Sequence, residues 1–321
     1  MSVSPAPALR DADPSDGPAL RGIAARALRW DPDAADLVDL LLPGAAPRFA
    51  VLAQVDGAPA GFALGSLGPE PADPAAARRG HVNLLAVDPD ARRRGCGRAL
   101  LKAVEGRLAG AGAAQVLIGG ATPLFAWPGI DVRYTAACCL AEAAGYAQHS
   151  NAVNMTAELT DAVRTDSAAE RLATAPEEKA LAARGITVRR LRPDDREPIS
   201  GWLAGWGGTW REEALATLGP ERRAQGAGCH IAVLRDGAPD AEYVGFACHG
   251  VNRADWFGPM GTGGELRGLG IGSVLLRRCL DDLHAAGHPT AQIGWVGPVG
   301  FYARTVDAYV ERVFRIYRKE C

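Results

Sequence analysis

No apolar run in this 321-residue chain reaches the roughly 18 residues needed to cross a bilayer. The opening stretch MSVSPAPALRDADPSDGP has no basic segment leading into an apolar core. Both absences argue against a membrane protein or a leader, and they predict a cytoplasmic location. A strong charge of either sign is missing too: 35 Lys and Arg stand against 37 Asp and Glu, a net of −2. With so weak a bulk field, neither nucleic acid nor an acidic membrane is expected as a partner, and any anion must be held by local groups. The seven cysteines are odd in number and contain no C-x-x-C pair. They indicate neither a disulfide framework nor a metal site, and reduced thiols are expected.

What the chain does have is length and a repeat. At 321 residues it exceeds what one hydrophobic core usually serves, so two domains are expected. A shift of 175 residues lays Arg92 on Arg267, Gly95 on Gly270 and Gly97 on Gly272. The same shift lays Leu100-Leu101 on Leu275-Leu276, Leu108 on Leu283 and Ile118-Gly119 on Ile293-Gly294. Upstream of this register each half holds a β-hairpin pattern, with turns signalled by Asp56-Gly57 and Asp236-Gly237. Each hairpin follows a helical region whose first helix an Asp can cap. The polar, Ala-rich stretch 160–185 suits a partly helical linker, which puts the domains at 1–159 and 186–321. A period this long means a duplicated domain, since solenoid units are far shorter.

In each copy an extended segment, HVNLLAV or DWFGPMGT, runs into a glycine loop and then a helical apolar pattern: Leu100, Leu101, Val104 and Leu108, or Leu275, Leu276, Cys279, Leu280 and Leu283. A helix N-terminus offers unpaired N–H groups and about half a positive charge, and glycine lets a ligand reach them. A lone loop of this kind reads equally as a tight turn or as a phosphate cradle. Two copies, each with an Arg three residues before its first glycine, favour the cradle. No G-K-[ST] follows either loop, and neither completes G-x-G-x-x-G, because Leu100 and Ser273 stand where the third glycine belongs.

The remaining pattern, R-x-x-G-x-G at Arg92-Gly95-Gly97 and Arg267-Gly270-Gly272, resembles the coenzyme A pyrophosphate loop of the GNAT superfamily of acetyl-CoA-dependent N-acetyltransferases. The resemblance covers most of both halves. It implies an α/β (α+β) chain of two GNAT-like domains, each a mixed, mostly antiparallel central sheet flanked by helices, with splayed fourth and fifth strands. It implies acetyl-CoA as cosubstrate, bound in the first copy by Leu85, Ala86, Val87, Arg92, Arg93, Arg94, Gly95, Cys96, Gly97 and Arg98. In the second copy the equivalents are Met260, Gly261, Thr262, Arg267, Gly268, Leu269, Gly270, Ile271, Gly272 and Ser273. Backbone N–H groups of the fourth strand are the implied donors to the thioester carbonyl.

Acetyl transfer to an alkyl amine needs the neutral amine, about one molecule in 2,500 at pH 7 for a lysine-like group. It also needs a proton for the leaving thiolate. The resemblance assigns that proton to Tyr302, in VGPVGFYARTVDA; its alternative reading is an aromatic packed beside the cofactor arm. In the first copy, counting back from Gly145 puts Ala141 at the matching place, with Tyr134 as a substitute if its helix is set differently. Trp127, Asp131 and Arg133 lie in a longer loop that either orients a polar substrate or packs the halves together. Trp202, Trp206 and Trp210 fall on one helical side if the glycines between them allow a helix. They form either a core stripe, an inter-domain contact or a stacking surface for an aromatic or cationic acceptor.

His81, His249, Asp255 and Glu242 are the candidate bases, each with an equally ordinary reading as a surface or strand-end residue. His284 and His288 bracket no glutamate and do not suggest a metal pair. The expected activity is transfer of acetyl from acetyl-CoA to a small-molecule primary amine by direct attack in a ternary complex. The alternatives are an acyl-CoA-binding sensory or structural module, a longer acyl donor, or a hydroxyl acceptor. A monomer with pseudo-twofold pairing of its domains is expected.

Overall fold

The computed structural model describes residues 6–42, 48–68, 77–120, 125–161, 167–207 and 209–321. The elements of the first half are β1 (Ala8–Asp11), α1 (Gly17–Ala27), α2 (Ala34–Leu41), β2 (Arg48–Val55), β3 (Ala58–Leu67), β4 (Arg79–Val87), α3 (Cys96–Gly110), β5 (Gln115–Ile118), β6 (Ile130–Asp131), α4 (Thr135–Ala143) and β7 (Ala147–Glu158). There follow α5 (Ala168–Leu172), α6 (Ala175–Ala182), β8 (Ile186–Arg190), α7 (Arg196–Leu203), α8 (Trp210–Ala216), α9 (Pro220–Ala224), β9 (Gly228–Leu234), β10 (Glu242–His249), β11 (Trp256–Thr262), α10 (Ile271–Ala285), β12 (Thr290–Ile293), α11 (Val299–Val306) and β13 (Tyr309–Glu320). Among the described residues no helix is long and apolar enough to cross a membrane.

The chain divides into two compact units, one of residues 1–152 with 313–321 and one of residues 153–312. The first unit orders its strands β1-β2-β3-β4-β5-β13, antiparallel except for the parallel β4–β5 pair. The second repeats the plan as β8-β9-β10-β11-β12-β7, with β11–β12 parallel. The sixth strand of each sheet therefore comes from the segment that follows the other half's last helix. Tyr317 to Glu320 pair with β5, and Met155 to Glu158 pair with β12.

Period-2 alternation along the strands gives each sheet two apolar faces, and helices cover both. In the first unit Leu20, Ile23 and Leu37 of α1 and α2 meet Phe62, Leu84 and Phe314 on one face. Leu100, Val104 and Leu108 of α3 meet Val51, Val82 and Tyr317 on the other. In the second unit α10 buries Leu275, Leu276, Cys279, Leu280 and Leu283, while Ile199 and Leu203 of α7 pack with Ile231 and Phe246. Within the stretch read as a linker, Leu172 and Leu181 enter the second unit's core, and Arg277 and Arg278 of α10 pair with Glu177 and Glu178. Residues 162–166 of that stretch lie outside the described residues.

The Asp56-Gly57 signal forms a two-residue hairpin, with φ of 53° and 79° at the two positions and Val55 paired to Ala58. The second hairpin differs: Leu234 pairs with Glu242, so a seven-residue loop intervenes and Asp236 turns back to bind Arg189 at 2.8 Å. Entry into each unit's first helix is organised by an Arg–Asp pair. Arg10 holds Asp16 at 2.6 and 2.7 Å, and Asp16 accepts the Asp13 N–H. In the second unit Asp195 accepts two bonds from Arg189 at 2.8 Å, the Tyr243 hydroxyl at 2.7 Å and the Arg192 N–H at 2.7 Å.

Burial would raise the Asp195 pKa, but those donors outweigh it and hold the carboxyl at about 2. A carboxyl depressed below its unfolded value contributes stability above pH ~4 and loses it as pH falls through the folded pKa. Thermal unfolding of the second unit should therefore shift downward between pH 4 and 2, and Asp195→Asn should flatten that dependence; an unchanged slope in the variant would refute the assignment. The strand exchange makes a second prediction. Ending the chain after Arg312 removes Phe314 and Tyr317, both 0% exposed. At about 3–5 kcal/mol for each large aromatic lost, the deletion should exhaust a stability of ~5–15 kcal/mol. Hydrogen exchange should then show β5 and α3 unprotected while α10 stays protected.

Candidate functional site

In both units the parallel strand pair separates midway. β4 pairs with β5 only over Arg79–Val82, and β11 with β12 only at Trp256 and Phe257. An extra residue on the inner strand sits at the same place. Leu64 faces Leu84 but Gly65 faces Val82, so Asn83 is bulged, and the Ala247–Met260 and His249–Phe257 pairs leave one residue over around Gly258-Pro259. A bulge bends its strand and sharpens the local twist, which opens the gap. Beyond it, Leu85, Ala86 and Val87, like Met260, Gly261 and Thr262, pair on one side only. The bulges were not foreseen, although Pro259 inside a strand pattern was a signal for one.

Each opened strand leads into a 3-10 turn and the glycine loop. The loops adopt one conformation: Arg92 and Arg267 have φ of −65° and −63°, Arg93 and Gly268 are left-handed at 65° and 87°, and Gly95 and Gly270 are left-handed at 84° and 88°. That geometry turns the chain into α3 and α10, whose first turns close through Ala99 N–H to Gly95 O at 3.0 Å and Val274 N–H to Gly270 O at 3.1 Å. The N–H groups before these, from Cys96 to Arg98 and Ile271 to Ser273, have no intrahelical acceptor. A Cβ on Gly270 would meet nothing within 4 Å, and one on Gly95 only Pro7 at 4.0 Å, so the approach to both helix ends is open.

The arginines divide. Arg93 and Arg98 are exposed and make no ion pair among the described residues, as is also true of Arg267. Arg94 is tied to Asp56 at 2.8 Å, and Arg92 donates to Ala27 O at 3.4 Å. Cys96 is buried with its sulfur toward Ala91 O at 3.9 Å, so in the first loop only its backbone is presented. Leu269 is half-buried against the core below α10.

Tyr302 lies on α11 in the second unit's core, in edge contact with Phe257 and Phe301 at ring distances of 6.1 and 5.0 Å. Its hydroxyl makes no hydrogen bond among the described residues, and burial pushes its pKa up to about 12. A Cβ on Gly272 would touch Met260 at 3.0 Å, Phe301 at 3.5 Å and Thr262 at 3.6 Å. The opened strand, the helix N-terminus and the Phe301-Tyr302 segment are thus brought together. In the first unit a Cβ on Gly97 would meet Leu140 at 3.0 Å and Val87 at 3.7 Å. Leu140 therefore stands to α3 as Phe301 stands to α10, and buried Ala141 follows it where Tyr302 follows Phe301. Tyr134 precedes α4 and is engaged elsewhere: its hydroxyl donates to Asp31 at 2.7 Å and accepts the Trp30 N–H at 3.0 Å.

Asp31, not singled out from the sequence, is 1% exposed and also accepts the Trp127 indole N–H at 3.0 Å. Asp131 is 1% exposed and binds Arg133 through its backbone N–H at 2.9 Å and its guanidinium at 2.7 to 3.1 Å; Arg133 in turn lies 4.9 Å over Trp30. The four loop residues thus anchor the α1–α2 connection. The three tryptophans do not share a helix, because α7 stops at Leu203 and α8 begins at Trp210. Their rings still meet, tilted at 5.1 Å from Trp202 to Trp206 and stacked at 5.5 Å from Trp206 to Trp210. Trp206 covers β11 so closely that a Cβ on Gly261 would lie 2.5 Å from its ring.

The candidate bases are engaged: His81 with Gly119 O at 3.0 Å, Glu242 with Arg235 at 2.5 Å, and His249 with Asp282 at 3.0 Å. Asp255 also has an interaction partner.

Residues 18–122 match the acetyltransferase (GNAT) family. No curated protein sequence matches the chain. Among solved structures, a glucosamine N-acetyltransferase region of a fungal multi-domain GH3 β-N-acetylglucosaminidase superposes with a TM-score of 0.78 at 17% identity, covering 99% of this chain and 39% of that one. The chain thus spans well under half the length of that protein. A GCN5-related N-acetyltransferase from Sphaerobacter thermophilus gives 0.65 at 19% identity over 99% and 97% of the two chains. A tandem GNAT protein from the clavulanic acid biosynthesis pathway gives 0.66 at 15% identity over 98% of both.

Proposed function

We propose that the chain is a tandem GNAT-family N-acetyltransferase whose second unit moves an acetyl group from acetyl-CoA to the primary amine of a small molecule by direct attack in a ternary complex. The observation that carries this reading is that Phe301 packs with Met260 beside Gly272 at the start of α10, while Tyr302, the next residue on α11, lies edge-on to Phe301 and to Phe257 of β11. Acetyl-CoA would supply the reactive thioester. The N–H groups of Ile271, Gly272 and Ser273, with the Arg267 guanidinium, would hold its diphosphate at the positive end of the helix. The free edge of Met260 to Thr262 offers N–H donors to the acyl oxygen, and the gap beside β11 takes the pantetheine arm. Tyr302, kept protonated by burial, would give its proton to the departing thiolate.

The first unit has the same loop and a richer free charge in Arg93 and Arg98, but Ala141 in place of the tyrosine. We assign it binding of acetyl-CoA without full catalysis. Trp206, stacked over Gly261, borders the acceptor side and suits an amine carried on a flat or cationic body.

A thiol leaves tolerably well unaided, so Tyr302→Phe should lower the rate of thioester consumption by about 10²-fold and leave coenzyme A affinity unchanged; equal loss of both would show a packing role instead. Calorimetry should find two coenzyme A molecules per chain. Valine at Gly270 must adopt a left-handed conformation costing about 1–2 kcal/mol and projects toward the ligand. Gly270→Val should therefore remove one binding event together with turnover, and Gly95→Val should remove the other and spare turnover. Binding that survives the double variant would overturn the assignment.

A further inference from the structure

At the other end of α10 from the glycine loop, roughly 16 Å along its axis at 1.5 Å per residue, a polar cluster lies between the helix and the sheet. His230 pairs with Ala247, and His249 with Gly228, so the two imidazoles project from neighbouring strands onto one sheet face beneath α10. Both aim Nε2 at a single oxygen of Asp282, 2.7 Å from His230 and 3.0 Å from His249. The rings are 2% and 3% exposed, and Nδ1 of each is buried without a partner. On α10, Cys279 and Leu283, which flank Asp282 in sequence, belong to the apolar core. Burying two imidazoles and a carboxylate there is costly unless something compensates. Gly228 makes room for the arrangement, since a Cβ at that position would lie 2.5 Å from His249 Nε2. His249 and Asp282 also line a cleft of about 570 Å³, so the point of convergence is reachable from solvent.

We propose that His230 Nε2, His249 Nε2 and Asp282 form a binding site for one divalent transition-metal ion of the zinc class, with a fourth position facing the cleft. The donor set suits such an ion: two imidazoles and a carboxylate whose ligand atoms all lie within 4.8 Å of one another. Bonds of ~2.0–2.2 Å in a tetrahedron space the ligands ~3.3 Å apart, so the present contacts need open by only a few tenths of an ångström. Each ring keeps one proton, moved from Nε2 to Nδ1. The nearby C-terminus of α10 adds partial negative charge that favours a cation. Arg190 reaches Asp282 from the solvent side with a side chain 59% exposed, and it competes with the ion for the carboxylate. The three ligands stand at positions 230, 249 and 282, without any local spacing that marks a metal motif in sequence.

The test uses the full chain in a Cys139→Ser, Cys321→Ser background, which removes the two exposed thiols. Co²⁺ should saturate at one ion per chain with the visible bands of a nitrogen- and oxygen-ligated site, and Zn²⁺ should displace it. Asp282→Asn and His249→Gln should each weaken binding by more than about tenfold. Arg190→Ala leaves all three ligands in place and should tighten it. Absence of a saturable Co²⁺ signal overturns the proposal, as does a signal that Asp282→Asn or His249→Gln leaves intact, or weaker binding in a cooperatively unfolding Arg190→Ala variant.

Discussion

Two short turns of left-handed backbone govern this molecule. Gly95 and Gly270 bring the chain into α3 and α10 so that the first N–H groups of each helix point into open space. Everything else that bears on the site exists to aim those groups. The hydrophobic stripe of each helix fixes it on its sheet, the bulge opens the strand pair in front of it, and the strand between bulge and loop supplies unpaired edge donors. No side chain caps the start of α3 or α10, whereas the charge of Arg94 is already paired with Asp56.

The two units share this frame and differ in what lines it. Phe301 and Leu140 make equivalent contacts with the helices, at Gly272 and Gly97, but the next residue is Tyr302 in one unit and Ala141 in the other. The loop of Trp127, Asp131, Arg133 and Tyr134 is likewise peculiar to the first unit, where it is occupied in hydrogen bonds to Asp31 and in an ion pair of its own. The glycine loop and opened strand are alike in the two units, while the residue that follows Phe301 or Leu140 differs.

Much of this was legible in the sequence because it is local. Helix periodicity, the Asp56-Gly57 turn and the paired glycine loops each depend on residues within about one turn or one hairpin of each other. The features that escaped are those made by distant segments meeting. No pattern in β7 or β13 says which sheet it will complete, because an apolar strand suits either. Asp31 reads as a loop aspartate until Trp127 and Tyr134 arrive 96 and 103 residues later. The tryptophans at four-residue spacing suggested a helical side, yet the glycine-rich stretch breaks the helix and the rings stack across the break.

The exchange of final strands sets the order in which the polypeptide becomes complete as it is made. Residues 153–312 form one uninterrupted stretch, so that unit possesses all its strands as soon as Arg312 has emerged. The half translated first waits for residues 313–321, which follow every residue of the other unit. Domains ordinarily finish from the N-terminus onward during synthesis. Here the later half closes before the earlier one, and until residues 313–321 arrive the first sheet presents β5 as an open edge, the kind of surface that chaperones cover and that aggregation exploits.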